Sequence, residues 1–271
     1  MHGYLRYLLV ALGAAGLLGA VAFFAQAPWI TGLWPWPSYG RLSSIFVASI
    51  LAAAAAPVLW IGLSGELAAI TGGALNFLVT YGGMAAYAAG VYLADTSRRP
   101  ILLFTVFCIA AAALCLALLL WARRLAFRDV RPTPRAVRVS FAVFIVVLLL
   151  AGGSLVLKTQ RIFPWSLSVQ QSVLYGWIFV GAAFYFLYGV IRPVWGNAVG
   201  QLLGFLAYDL VLIVPFLRHF ATVSPELRIN LTVYTAVLIY SGLLAMYFLF
   251  VYRSTRFRAA RLAPPETGLS G

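Results

Sequence analysis

Eight apolar runs, each long enough to cross a bilayer, take up most of this sequence and leave little else to fold. They lie near 5–26, 44–63, 66–93, 101–122, 138–157, 173–191, 194–217 and 229–252. A crossing helix needs about 20 apolar residues. Lipid offers no hydrogen bonds, so each crossing backbone must satisfy its own N–H and C=O groups as a helix. The expected fold class is therefore all-α, a polytopic integral membrane helical bundle of eight transmembrane helices. Composition agrees: charged residues make up 9% and mean hydropathy is +0.98, whereas a soluble domain carries about 25% charged residues. Too little polar surface remains to coat a globule, and no large extramembrane domain is left over.

The charge that does occur sits at the ends of these runs. A net charge of +13 would suit nucleic acid if the basic residues shared one folded face. They flank spans instead, where they set orientation, so no nucleic-acid partner is expected. Arg6, Arg192, the loop arginines 123, 124, 128, 131, 135 and 138, and the tail residues Arg253, Arg256, Arg258 and Arg261 fall on one side. Arg41, Arg98, Arg99, Lys158, Arg161, Arg218 and Arg228 fall on the other, a tally of 12 against 7. The excess places both termini in the cytoplasm of a multi-pass protein of the cell membrane. The bilayer is the expected partner, with anionic lipid at Arg253, Arg256, Arg258 and Arg261. The first run ends in Ala25-Gln26-Ala27, which matches a signal-peptidase site. Its apolar stretch from Leu8 to Phe24 exceeds a signal core of about 7–15 residues, so a retained span is expected.

Local signals punctuate the spans. Ser168 and Gln171 make a capping box for the sixth. Ser224, Pro225 and Glu226 suit the start of the eighth, and Pro100 and Pro193 suit helix starts. Cys108 and Cys115 fall on one apolar run, about 10 Å apart along a helix, too far for a disulfide within that helix.

An aromatic-proline turn occurs twice. Trp34-Pro35-Trp36-Pro37 lies over Phe163-Pro164-Trp165-Ser166 at an offset of 129 residues. Each follows the first span of a set of four. Residues 72–81 lie over 200–209 at an offset of 128, sharing Gly, Phe and Leu. This reads as a tandem duplication of a four-helix unit. The halves would be parallel, because four crossings return the chain to its starting side. The expected organisation is a first half at 1–122, a basic cytoplasmic linker at 123–137, a second half at 138–252 and a tail at 253–271. Trp34, Trp36, Phe163 and Trp165 suit interfacial aromatic anchors, since such rings favour the headgroup level. An outward lip that docks a ligand is the alternative. A Pro-Trp turn ahead of a span also resembles uncharacterised polytopic membrane proteins of bacteria, a resemblance that implies the polytopic fold and no functional residue.

Polar residues inside the spans are few. In the third, Glu66, Gly73, Thr80 and Tyr87 recur every seven residues, and Ala69, Asn76, Gly83 and Gly90 do so offset by three. Such a stripe lets helices approach closely. In the seventh, Asn197, Gln201, Gly204 and Tyr208 share a face. Asp209 lies nine residues before Arg218, about 13 Å of helix below that end. An ionised Asp near the bilayer centre costs about 2.5–3.5 kcal/mol on insertion scales, so it should seek a partner. Asp209, Tyr208, Gln201, Asn197, Asn76 and Thr80 form the candidate intramembrane polar site, either as helix packing or as a binding path. Glu66 is expected to cap its helix, and His219 to be structural.

Catalytic motifs are missing. The two histidines are His2 and His219, no P-loop or nucleophile elbow occurs, and one carboxylate lies deep. No cofactor or metal is expected, and the balance leans away from an enzyme. The best reading is a transporter or permease-like protein that binds a small solute between its halves. A non-catalytic membrane scaffold or complex subunit that binds lipid is the alternative, with an intramembrane enzyme third.

Overall fold

A computed structural model describes residues 2–32, 36, 40–159 and 162–257. Among these residues nine α-helices form: α1 (His2–Phe24), α2 (Pro28–Thr31), α3 (Arg41–Ser64), α4 (Ile70–Ala94), α5 (Arg99–Ala122), α6 (Arg135–Val156), α7 (Val169–Ile191), α8 (Trp195–His219) and α9 (Arg228–Met246). All but the four-residue α2 belong to eight segments long and apolar enough to cross a membrane. The chain is an all-α polytopic bundle.

Helix order in space differs from order in the chain. α1 packs along α3, α3 along α8, and α8 along α9. In a second row, α5 packs along α4, α4 along α7, and α7 along α6. The consecutive pairs α3–α4 and α7–α8 scarcely touch along their lengths. Each row therefore takes two spans from each side of the linker. Small residues draw helices together within a row: an added Cβ on Gly13 would fall 2.6 Å from the Leu59 backbone, and one on Gly176 2.7 Å from Val156 N. Close backbone approach is how membrane helices gain contact where lipid is as apolar as they are.

Punctuation follows the local signals in part. Ser168 and Gln171 form the expected capping box on α7, and Pro100 stands in the first turn of α5. Ser224 precedes a 3-10 turn, Pro225–Leu227, without a side-chain cap, because the tighter turn closes on the Ser224 carbonyl instead. Pro193 lies in the turn before α8, where its carbonyl accepts from Thr133 N at 2.9 Å.

One end of the bundle is held by the linker. α3 stops at Gly65, whose φ of +74° suits glycine. The exposed carbonyls there accept from guanidinia: Arg6 reaches Gly62 and Leu63 at 3.1 and 2.8 Å, and Arg128 reaches Ser64 at 2.8 Å. Cations suit the negative end of a helix. Glu66 does not cap its own helix. Its carboxylate accepts from the backbone of Arg128 at 2.9 and 3.1 Å and from Asp129 N at 3.0 Å. The linker backbone then bonds the α7–α8 turn, with Trp195 N donating to Arg131 O and Gly196 N to Asp129 O.

The other end is closed by aromatic rings. Phe163 and Trp165 are buried among Phe46, Tyr175, Phe179 and Phe216, and Trp165 Nε1 donates to Ser43 Oγ at 3.1 Å. Trp36 is buried against Tyr87 and Phe104. All three rings fasten helices to one another, since a large ring buried against protein gains extensive contact. Trp34 lies outside the described residues.

Candidate functional site

Side chains rather than backbones meet across the two rows, and between them lies a cavity of about 1070 Å³. Phe46 to Ile61 of α3 border it, a run of roughly 22 Å of helix. That covers much of the ~30 Å hydrocarbon thickness. Seven of the eight crossing segments contribute through α3–α9, and α1 joins them through Leu9, Leu12 and Gly16.

The walls are overwhelmingly apolar, and five of the polar side chains on them are ones singled out from sequence. Asn76, Thr80, Gln201, Tyr208 and Asp209 all border the cavity. Asn76 and Thr80 sit where α7 crosses α4. Thr80 Oγ1 lies 3.3 Å from Asn76 Oδ1 and 3.4 Å from the Trp177 carbonyl. The crossing is tight because Gly181 faces the pair; a Cβ there would lie 2.0 Å from Thr80 Oγ1. Gln201 Nε2 donates to the Tyr185 carbonyl at 2.8 Å, and its Oε1 has no partner.

Asn197 stands apart. Its Nδ2 donates to the carbonyls of Tyr188 and Arg192 at 3.2 and 3.0 Å, so it ties the α7–α8 turn. It does not border the cavity. It lies one turn before Gln201, close enough to the helix start that the incoming turn supplies its partners.

Asp209 finds its partner on α9. Ser241 Oγ donates to Oδ2 at 2.8 Å, while Oδ1 has no partner. No basic side chain pairs with it; among the described residues the two ion pairs are Arg98–Asp95 and Arg131–Asp129, both in connections. Beside it, the hydroxyls of Tyr208 and Tyr234 share a hydrogen bond. Ser241 and Tyr234 were missed in the sequence. Their signal was a polar atom inside the last apolar run, but nothing local marks which helix face meets Asp209.

A second, smaller cavity of about 480 Å³ lies at the linker end, bordered by Trp60, Glu66, Asp129, Arg131 and Trp195 among others. Three of its charged groups are already engaged, Glu66 with linker N–H groups and Asp129 with Arg131 at 2.6 Å, and Arg256 also borders it. His219 is likewise engaged, with Nε2 at 3.0 Å from the Pro164 carbonyl. Among the described residues no three His, Cys, Asp or Glu side chains gather as a metal site. The geometry is that of an apolar chamber with one carboxylate and a few hydrogen-bonding groups. No family model, curated protein or solved structure matches the chain, so this chamber is the ground on which function must be read.

Proposed function

We propose that this integral membrane protein binds a small, largely apolar solute in the chamber between its two helix rows and passes it across the bilayer in the manner of a permease. The observation that carries this is the chamber itself: about 1070 Å³, bordered by five of the six residues of the candidate polar site. Ligand sites in proteins commonly occupy about 300–1,000 Å³ and are mostly apolar with a few placed polar groups. A scaffold whose polar stripes served only to pack helices would bring them against one another, with no chamber between.

The two-part organisation belongs to the same reading: a half at 1–122, a linker at 123–137 and a half at 138–252, related by a rough two-fold axis along the membrane normal. Three features support it. A shift of four spans turns the contacts of one row into those of the other: α1–α3 becomes α6–α7, α4–α5 becomes α8–α9, and α3–α8 becomes α7–α4. The Trp36–Tyr87 ring contact has its counterpart, 129 residues on, in Trp165–Phe216. Phe46 meets Tyr175, also 129 residues on, with centroids 4.5 Å apart, as equivalent residues beside a two-fold axis would. A chamber on such an axis suits alternating access by rocking of the halves. Both termini lie in the cytoplasm on this reading, and the tail arginines 253, 256, 258 and 261 hold anionic lipid.

Gly73 borders the chamber, and a Cβ added there meets nothing within 4 Å. Trp in its place fills the space. In lipid nanodiscs the wild type should bind Nile red saturably, and Gly73→Trp should lose that binding while keeping its unfolding temperature. Saturable binding that survives Gly73→Trp would place the dye elsewhere and remove the chamber from the argument. Flux of a bound solute through proteoliposomes then separates a permease from a static binder.

A further inference from the structure

Resting on the chamber reading above, we propose that the occupant is a cationic amphiphile: a lipophilic amine whose protonated nitrogen sits at Asp209 and whose hydrocarbon body lies along α3, α4 and α7. Charge selects the head. Among the described residues Asp209 is the one ionisable acid or base of the Asp, Glu, Lys, Arg and His class on the chamber wall. It is 5% exposed, and Oδ1 has no partner. Ser241 Oγ supplies its single hydrogen bond, where a carboxylate has room for about four. An ammonium brings both the missing charge and the missing donors. It thereby resolves the difficulty of a carboxylate held in hydrocarbon without a cation.

The surroundings favour the same sign. Phe46, Phe163, Tyr175, Phe179, Tyr208 and Tyr234 border the chamber and their rings pack on one another, with Tyr208 next to Asp209 in the chain and bonded to Tyr234. Aromatic faces attract cations, most strongly where water is excluded. An anionic head would meet a carboxylate and ring faces, with no Lys, Arg or His among the described residues of the wall. The second unpartnered acceptor, Gln201 Oε1, is 0% exposed and stands on the same wall. It lies eight residues from Asp209, about 12 Å along the helix. A buried acceptor again calls for a donor, so every unsatisfied oxygen on this wall asks for N–H or O–H and none for an anion. Length selects the body. The chamber follows about 22 Å of α3, which suits an extended chain better than a compact ring.

Dodecylamine, dodecanol and dodecanoate share one chain and differ in the head, and their binding to the full chain in nanodiscs can be compared with that to empty nanodiscs. The expected result is dodecylamine binding about tenfold tighter than the alcohol, with the carboxylate weakest. Asp209→Asn should reduce amine affinity to that of the alcohol. Equal binding of amine and alcohol to the wild type overturns the proposal without any variant, so poor folding of Asp209→Asn cannot shield it. An amine preference that persists in Asp209→Asn also overturns it. If all three probes bind alike but are displaced by Gly73→Trp, only the head-group proposal falls. If none binds beyond the empty nanodisc, the chamber reading falls with it.

Discussion

Glu66 and Asp209 are buried alike, 3% and 5% exposed, yet their carboxylates are treated in opposite ways. Glu66 lies at the linker end, with both oxygens bonded to backbone N–H groups of Arg128 and Asp129. Asp209 lies midway along α8, with one bond from Ser241 and one oxygen unpartnered beside a large chamber. A carboxylate whose hydrogen bonds are all made within the chain acts as a clasp. One left partly unsatisfied beside empty space has room for a partner that the chain does not supply. The glycines nearby repeat the contrast. A Cβ on Gly196 would lie 2.7 Å from Glu66 Oε2 and 2.9 Å from the Asp129 carbonyl, whereas one on Gly242 would lie 3.4 Å from Asp209 Oδ2. The clasp is packed to contact, and the site has slack.

The largest expected effect comes from opening the clasp. Glu66→Ala leaves two linker N–H groups unpaired, with the Arg128 guanidinium on the Ser64 carbonyl left to hold the linker to the turn after α3. Hydrogen bonds to a charged group are worth about 1.5–3 kcal/mol each, so the loss should reach at least about 3 kcal/mol. Thermal unfolding in detergent reads it as a large drop in midpoint. A drop within a degree or two would mean that the clasp does not hold the linker, and the contrast with Asp209 would collapse.

Gly196→Ala and Gly242→Ala form a matched pair one step down. The first forces a methyl against Glu66 and the linker backbone and should cost about 1–3 kcal/mol, the usual penalty of overpacking. The second enters at ordinary van der Waals distance and should be close to neutral. Equal unfolding temperatures for the two would show that the packing difference carries no energetic weight.

How much of this was legible in the sequence follows from which distances are local. The spans were legible because apolar length alone decides them, and the Ser168–Gln171 box because both partners sit within one turn. Asn76, Thr80, Gln201, Tyr208 and Asp209 were found because a polar group in an apolar run is conspicuous, and the helix period says which of them share a face. What a face meets was not legible. Glu66 finds its donors 62 and 63 residues away, and Asp209 finds Ser241 32 residues away. Asn197 shares the seam of Gln201, but the turn before α8 claims it first. The burial of Phe163 and Trp165 was hidden for the same reason. A ring's preference for the headgroup level is a property of the ring, while its burial depends on α3 and α8 arriving beside it.

Ser241→Ala tests the other half of the contrast. It removes the one hydrogen bond that Asp209 makes, and a neutral side-chain bond is worth about 1 kcal/mol, somewhat more when its partner is charged. The unfolding midpoint should fall less than half as far as in Glu66→Ala, because the chamber beside Asp209 can admit water in place of the hydroxyl. A loss equal to that of Glu66→Ala would make Asp209 a second clasp and take from the chamber its charged residue.

The smallest effect concerns the strand of linker that Glu66 holds. Asp129 in that strand is partly buried, which pushes its carboxyl up, but the side-chain and backbone bonds from Arg131 and the charge of its guanidinium outweigh this and hold it below the usual carboxylate range. A carboxyl lowered on folding adds stability above its unfolded value, about pH 3.9, and that stability is lost as pH falls through the lower folded value. Wild type should therefore exceed Asp129→Asn at neutral pH and converge with it below about pH 4. The pair is well exposed, with side chains 45% and 31% accessible, so screening keeps the difference under about 1 kcal/mol and added salt narrows it further. Midpoints measured from pH 7 to pH 3 read the convergence. A gap that stays constant over that range would assign the Asp129 contribution to its hydrogen bonds alone. The linker would then be held by Glu66 independently of charge at Asp129, which sharpens the distinction between a clasp built from backbone donors and a carboxylate left with one bond beside the chamber.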